Sequence, residues 1–159
     1  MLQLKLLVLI VVANGAPVLA WDLFQDRYAR PIDGGRRFGD GRPWLGPSKT
    51  WRGLVASLVM TTAAAPLLGL PWSIGWIVSV TAMAGDLISS FLKRRLGIRA
   101  SGRAPVLDQI LESLLPLLAL REQYHLSGDT IALLVALFFL LEVTISPLLY
   151  ELGIRKRPY

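Results

Sequence analysis

The stretch "WSIGWIVSVTAMAGDLISSFLKRR", residues 72–95, decides the architecture. From Trp72 to Leu92 it holds only apolar residues, glycines and small hydroxyl side chains, apart from Asp86, and Lys93, Arg94 and Arg95 then close it. About 20 residues of helix cross a hydrocarbon core of about 30 Å, so this run reads as a membrane span. Its three terminal cations mark the cytoplasmic end. Asp86 is the anomaly: a charge at the centre of a span costs about 2.5–3.5 kcal/mol on insertion scales. Such a residue needs a partner or a task.

Three further runs, Leu2 to Trp21, Leu54 to Leu70 and Thr130 to Tyr150, have a similar character. Ala104 to Leu120 is weaker because it carries Asp108, Glu112 and Pro116, residues tolerated in a span that faces a polar cavity. The predicted fold is therefore an all-α integral membrane protein with about five transmembrane helices in a single domain over residues 1–159. A composition 53% hydrophobic and 18% charged supports that class. Fifteen of the 17 Lys and Arg fall in residues 27–52, 93–103 and 155–157. Five spans with the amino terminus outside and the carboxyl terminus cytoplasmic put all three clusters on one face, as the positive-inside rule requires. That clustering argues against nucleic acid as the partner of a chain with net charge +6. "APVLAW" at 16–21 offers a secretory cleavage site after Ala20, but cleavage would export a cation-rich segment and invert the charge rule.

The absence of cysteine excludes disulfide frameworks and thiolate metal sites. The single histidine, His125, lies in the outer connection from Arg121 to Asp129 and reads as incidental. Chemistry concentrates in two polar connections. Asp22 to Arg52 is rich in glycine and proline and predicts an irregular functional loop. Lys93 to Ala104, "KRRLGIRASGRA", carries five cations and no acid. The segment "GRPWLGPSKT" at 41–50 is not a P-loop, because Pro47 and Ser48 separate the lysine from the second glycine.

Asp86, Ser90 and Lys93 share one helical face, with Asp86 about 10 Å from Lys93 along the axis. An ion pair that only neutralises Asp86 is the bland alternative. Asp108 follows Pro105 in the first turn of the fourth span, where a carboxylate also favours the helix dipole. The two acids flank the loop of five cations. Two carboxylates suit Mg²⁺, whose coordination is usually completed by water and substrate phosphates. Dense Arg and Lys suit a polyphosphate. A nucleotide, a phosphorylated lipid, or both are implied. Glu112, one turn past Asp108, extends the acidic face, and Glu142 reads as one half of a structural pair.

"ANGAP" in the first span, "PIDGGRRFGDGRPWLGPSKTWRG" in the loop, "GDLISSFLKRRLGI" at the third span and "PVLDQI" at the fourth together resemble the CDP-archaeol synthase family, small relatives of the phosphatidate cytidylyltransferases. The resemblance covers almost the whole chain. It implies an enzyme of the plasma (inner) membrane, acting at the cytoplasmic face. The reaction implied is Mg²⁺-dependent transfer of CMP from CTP to a membrane lipid phosphate, with pyrophosphate released. The larger enzymes carry a similar Gly-Asp, then Ser-x-x-Lys-Arg, then Asp-Arg. Asp86, Ser90 to Arg94 and Asp108 occupy those places, with Gln109 where arginine stands. The resemblance thus implies metal ligation by Asp86 and Asp108, catalytic roles for these with Lys93 and Arg94, and substrate binding by Asn14, Asp33, Asp40, Arg42, Lys49, Thr50, Arg52, Ser90 and Arg95. Gly53 also matches the small family's pattern. The alternative is a non-catalytic membrane protein, an anionic-lipid-binding scaffold or transporter subunit, since juxtamembrane cations alone attract anionic headgroups. It explains the cations but not the paired acids.

Overall fold

The computed structural model describes residues 1–98 and 105–151. It is all helical: α1 (Leu2–Phe24), α2 (Trp51–Leu67), α3 (Trp72–Arg95), α4 (Pro105–Ala119) and α5 (Gly128–Glu151). The expected all-α membrane architecture is observed. By length and apolarity, α1, α3 and α5 (over Gly128–Ile145) are sufficient to cross a membrane, with mean hydropathy 2.0, 1.4 and 2.0. α2 and α4 have 17 and 15 residues, about 25 and 22 Å of helix at 1.5 Å per residue. Each falls short of the ~30 Å core.

Helix ends follow local chemistry. After α2, Gly69 takes φ +68°; its N–H donates to the Pro66 carbonyl and that of Leu70 to Ala65, both at 2.9 Å. This closure satisfies two orphan carbonyls and turns the chain back into α3. Gly97, at φ +79°, ends α3 the same way, with Gly97 N–H donating to Arg94 (3.1 Å) and Ile98 N–H to Lys93 (2.9 Å). Thr50 begins α2: its hydroxyl accepts the Gly53 N–H at 3.2 Å.

Packing inside the bundle uses small residues where backbones approach and large ones elsewhere. Leu6, Leu9, Ile10 and Ala13 of α1 are buried together with Ile74, Val78 and Ala82 of α3, Leu117 of α4 and Phe138 of α5. The buried face of α2 is Gly53, Ser57, Thr61 and Ala65, a small residue every fourth position, as close helix contact in lipid favours. Ser57 Oγ donates across to the Ala13 carbonyl at 2.8 Å. Val55, Val59, Leu133 and Leu140 remain outward, which suits helices surrounded by hydrocarbon.

Two close approaches position the site. A Cβ on Gly75 would collide with the Thr61 carbonyl of α2, and one on Gly85 with the Leu111 carbonyl of α4. Gly85 therefore lets α4 lie directly against the turn of α3 that bears Asp86. At the same end of the bundle, residues 25–50 form the expected irregular loop. Only two isolated bridges occur in it, Pro31 with Thr50 and Arg37 with Pro43.

Candidate active site

The loop holds its shape through side chains that bind its own backbone. Asp33 accepts three N–H groups, from Gly35 (2.9 Å), Leu45 (3.0 Å) and Gly46 (2.9 Å). Burial pushes the Asp33 carboxyl up, but these backbone donors outweigh it and hold the pKa below the ordinary aspartate range. Asp40 accepts the Arg42 N–H at 3.0 Å. Arg52 donates to the Gln25 and Arg27 carbonyls, both at 2.6 Å, and so ties the end of α1 to the start of α2.

A second set of arginines docks the loop onto α3. Arg42 donates to the Arg94 and Arg95 carbonyls (3.3 and 2.5 Å) at the helix end, where the last carbonyls lack helical partners. Arg94, buried, donates to the Leu45 carbonyl at 3.2 Å and to that of Ile98. Arg95 pairs with Asp40 (2.7 Å), donates to the Pro43 carbonyl (2.6 Å), and lies over the rings of Phe38 (4.7 Å) and Phe91 (5.0 Å).

Beneath this cover lie the acids. Lys49 reaches from the loop to Asp86 at 2.5 Å, and Lys93 of α3 reaches Asp108 of α4 at 2.6 Å. Glu112 stands on the turn of α4 whose backbone lies against Gly85, the residue before Asp86. Burial acts against the Lys49 ammonium, but Asp86, with Glu112 and Asp108 near it, more than offsets this and keeps its pKa above the usual lysine value. Three acids and two lysines thus meet where loop, α3 and α4 converge.

Asp86, Asp108, Lys49, Lys93 and Arg94 come together, with Asp40, Arg42 and Arg95 in the cover above them. Ser90 is fully buried one turn beyond Asp86, and its hydroxyl has no hydrogen-bond partner. Asn14 stands apart in α1, donating to its own helix at Ile10 (2.9 Å). The spacing on α3 suggested Lys93 for Asp86; the structure gives Lys93 to Asp108 and supplies Asp86 from the loop. Glu112 was legible only as an extension of the Asp108 face, because helical periodicity does not say which neighbour the face meets. Glu142 also has an interaction partner. Arg99 and Arg103 of the second basic connection lie outside the described residues.

Residues 33–105 match the Cytidylyltransferase family, and residues 70–159 match the family described as CDP-archaeol synthase. The chain is 43% identical over 104 residues to a CDP-archaeol synthase of Hyperthermus butylicus, covering 62% of this chain and 59% of that protein. It is 33% identical over 157 residues to one of Sulfurisphaera tokodaii, covering 94% and 90%. A solved structure described as an intramembrane enzyme for archaeal membrane lipids biosynthesis superimposes with a TM-score of 0.77 at 32% identity, over 89% of this chain and 90% of that one. The chain belongs to the CDP-archaeol synthase family, and it is an integral membrane protein.

Proposed function

We propose that this chain transfers CMP from CTP to a membrane-held diradylglycerol phosphate, giving a CDP-activated lipid and pyrophosphate. One observation carries the reading: two acids inside a membrane protein, Asp86 and Asp108, each neutralised by a lysine directly below a cation-rich loop. The name carried by its relatives supports it. The site lies on the cytoplasmic face of the plasma membrane, with the amino terminus outside, because the cations of the long loop and of the last turn of α3 mark that end by the positive-inside rule.

The reaction needs no dedicated base. The lipid phosphate monoester has a second pKa near 6, so its dianion attacks the α-phosphorus of CTP. A new P–O bond forms, the bond to the β-phosphate breaks, and its electron pair leaves with pyrophosphate. What the residues must supply is alignment and relief of repulsion between two anions. Lys49 and Lys93 stand where phosphate oxygens compete with carboxylates for their ammonium groups. The donor set is all oxygen, and Asp108 Oδ1 is buried without a hydrogen-bond partner, which fits a hard divalent cation. Asp86 and Asp108 would hold it; Mg²⁺, when bound, supplies charge neutralisation to the triphosphate.

Purified protein with CTP, Mg²⁺ and a panel of ether- and ester-linked lipid phosphates tests this. Pyrophosphate should appear only when lipid phosphate and divalent ion are both present. Binding of CTP with no turnover of any lipid phosphate would instead favour a non-catalytic anionic-lipid scaffold.

A further inference from the structure

We propose that residues 36–44 of the long loop are a membrane anchor: Phe38 and Trp44 insert at the boundary between headgroups and acyl chains, with Arg36 among the lipid phosphates. The inference needs only that the chain spans a bilayer and is independent of the reaction at the acids. Backbone geometry sets the two rings side by side. The Phe38 N–H donates to the Arg42 carbonyl (2.8 Å) and the Trp44 N–H to the Arg36 carbonyl (3.1 Å), with Arg37 bridged to Pro43 between them. Alternation along such a pair puts Arg36, Phe38, Arg42 and Trp44 on one face. That face is laid on the end of α3. Phe38 and Trp44 meet Phe91 edge to face, at 5.8 and 6.3 Å between ring centroids, and each other at 5.6 Å. Even so packed, Phe38 and Trp44 stay 43% and 45% exposed, an apolar edge that is costly to leave in water.

Place along α3 says what covers that edge. Val80, Ala84, Ile88, Phe91 and Arg95 fall at helical spacing on one face, and Val80 and Ile88 on it are exposed, as residues facing lipid are. The aromatic cluster continues this stripe at the cation-bearing end of the helix. At the other end Trp72 and Trp76 are exposed. Phe91 lies about 28 Å along the axis from Trp72, close to the ~30 Å thickness of the hydrocarbon core. Aromatic rings at the two ends of such an interval mark the two membrane–water interfaces. Arg36 and Arg37 are exposed beside the rings, cations at the height where lipid phosphates stand, and a mixed basic and aromatic surface of this kind lies in the interface plane. The loop that covers the acids is thus fastened to the bilayer surface as well as to α3. Asp86, about 8 Å along the helix from Phe91, sits on the hydrocarbon side of that level.

The chain has no cysteine, so Phe38→Cys in the full chain takes a single polarity-sensitive fluorescent label. In phospholipid nanodiscs its emission should shift to the blue relative to the label in water. Lipids carrying a doxyl group high on the acyl chain should remove most of that emission, and iodide in the buffer should remove little. Ile88→Cys gives the reference for a lipid-facing position. Water-like emission at position 38, quenched by iodide and untouched by doxyl lipid, would overturn the proposal. A response to CTP with none to doxyl lipid would overturn it too, making the rings a platform for the nucleotide. Because the label replaces one ring, Trp44 is read separately as the difference in emission between wild type and Trp44→Phe. Doxyl lipid should quench that component as well. Should Phe38→Cys fail to fold, a Trp44 component that doxyl lipid leaves unchanged overturns the anchor by itself.

Discussion

Replacing Gly85 by alanine adds one methyl group at the place where α3 and α4 touch backbone to backbone. The new Cβ would meet the Leu111 carbonyl and the Glu112 amide at less than van der Waals separation. Neither is the mobile end of a side chain. Alanine gains about 0.5–1 kcal/mol of helix propensity over glycine, while overpacking a tight contact costs about 1–3 kcal/mol. The net expectation is a loss of about 1–2 kcal/mol. To regain ordinary contact, α4 must retreat by about 1 Å, and misplacement on that scale costs about 10²-fold in rate. Gly75→Ala is the matched control. It makes the same kind of backbone collision with Thr61 and Thr62, but about 16 Å along α3 from the acids. Thermal unfolding in detergent and activity per folded molecule should separate the two. Both variants lose stability, and Gly85→Ala alone loses catalysis. Gly15→Ala, with no atom within 4 Å of the added Cβ, should be neutral or stabilising. Equal specific activities in the Gly85 and Gly75 variants would refute the claim that this contact sets the site.

Two predictions concern the loop. The folded-state pKa of Asp33 is depressed, so its contribution is fully present above the unfolded value and is lost as pH falls through the lower folded one. Pepsin cleavage within residues 31–50 should therefore rise below about pH 4 in the wild type, and already be high above it in Asp33→Ala. Arg95→Lys removes the fork to Asp40 and Pro43 and the stacking on Phe38 and Phe91. It should speed amide exchange of Ile32 and Trp44 at neutral pH and leave the exchange of α1 unaltered.

Much of this was legible in the sequence. The apolar run of residues 72–92 gave α3, and the three cations that follow it sit in its last turn. The glycines and prolines of residues 25–50 forecast irregular backbone. Partnership was not legible. Asp86 takes its lysine from 37 residues away, a distance that no helical periodicity encodes. Asp33 and Arg52, read as ligand-binding from the family pattern, also bind the loop's own amides and carbonyls. Sequence shows that a polar residue is needed in such a loop, but not whether its task is to shape the backbone or to meet a substrate. Length misled in a smaller way. α2 stops where Gly69 closes its last turn, and an apolar run does not reveal where the helix within it stops.

The most direct test of the account is CMP transfer per folded molecule, measured against Mg²⁺ concentration in the wild type and in Asp86→Asn, Asp108→Asn and the double variant. If the two carboxylates serve one ion, each single change removes most activity at any Mg²⁺ concentration. The double change should then cost little more, since groups that act as a unit are not additive. Substitution of Lys5 or His125 leaves the curve where it was. An Asp86→Asn protein that folds and keeps the wild-type Mg²⁺ dependence would make Asp86 no more than the partner of Lys49, and the account of the site would be wrong.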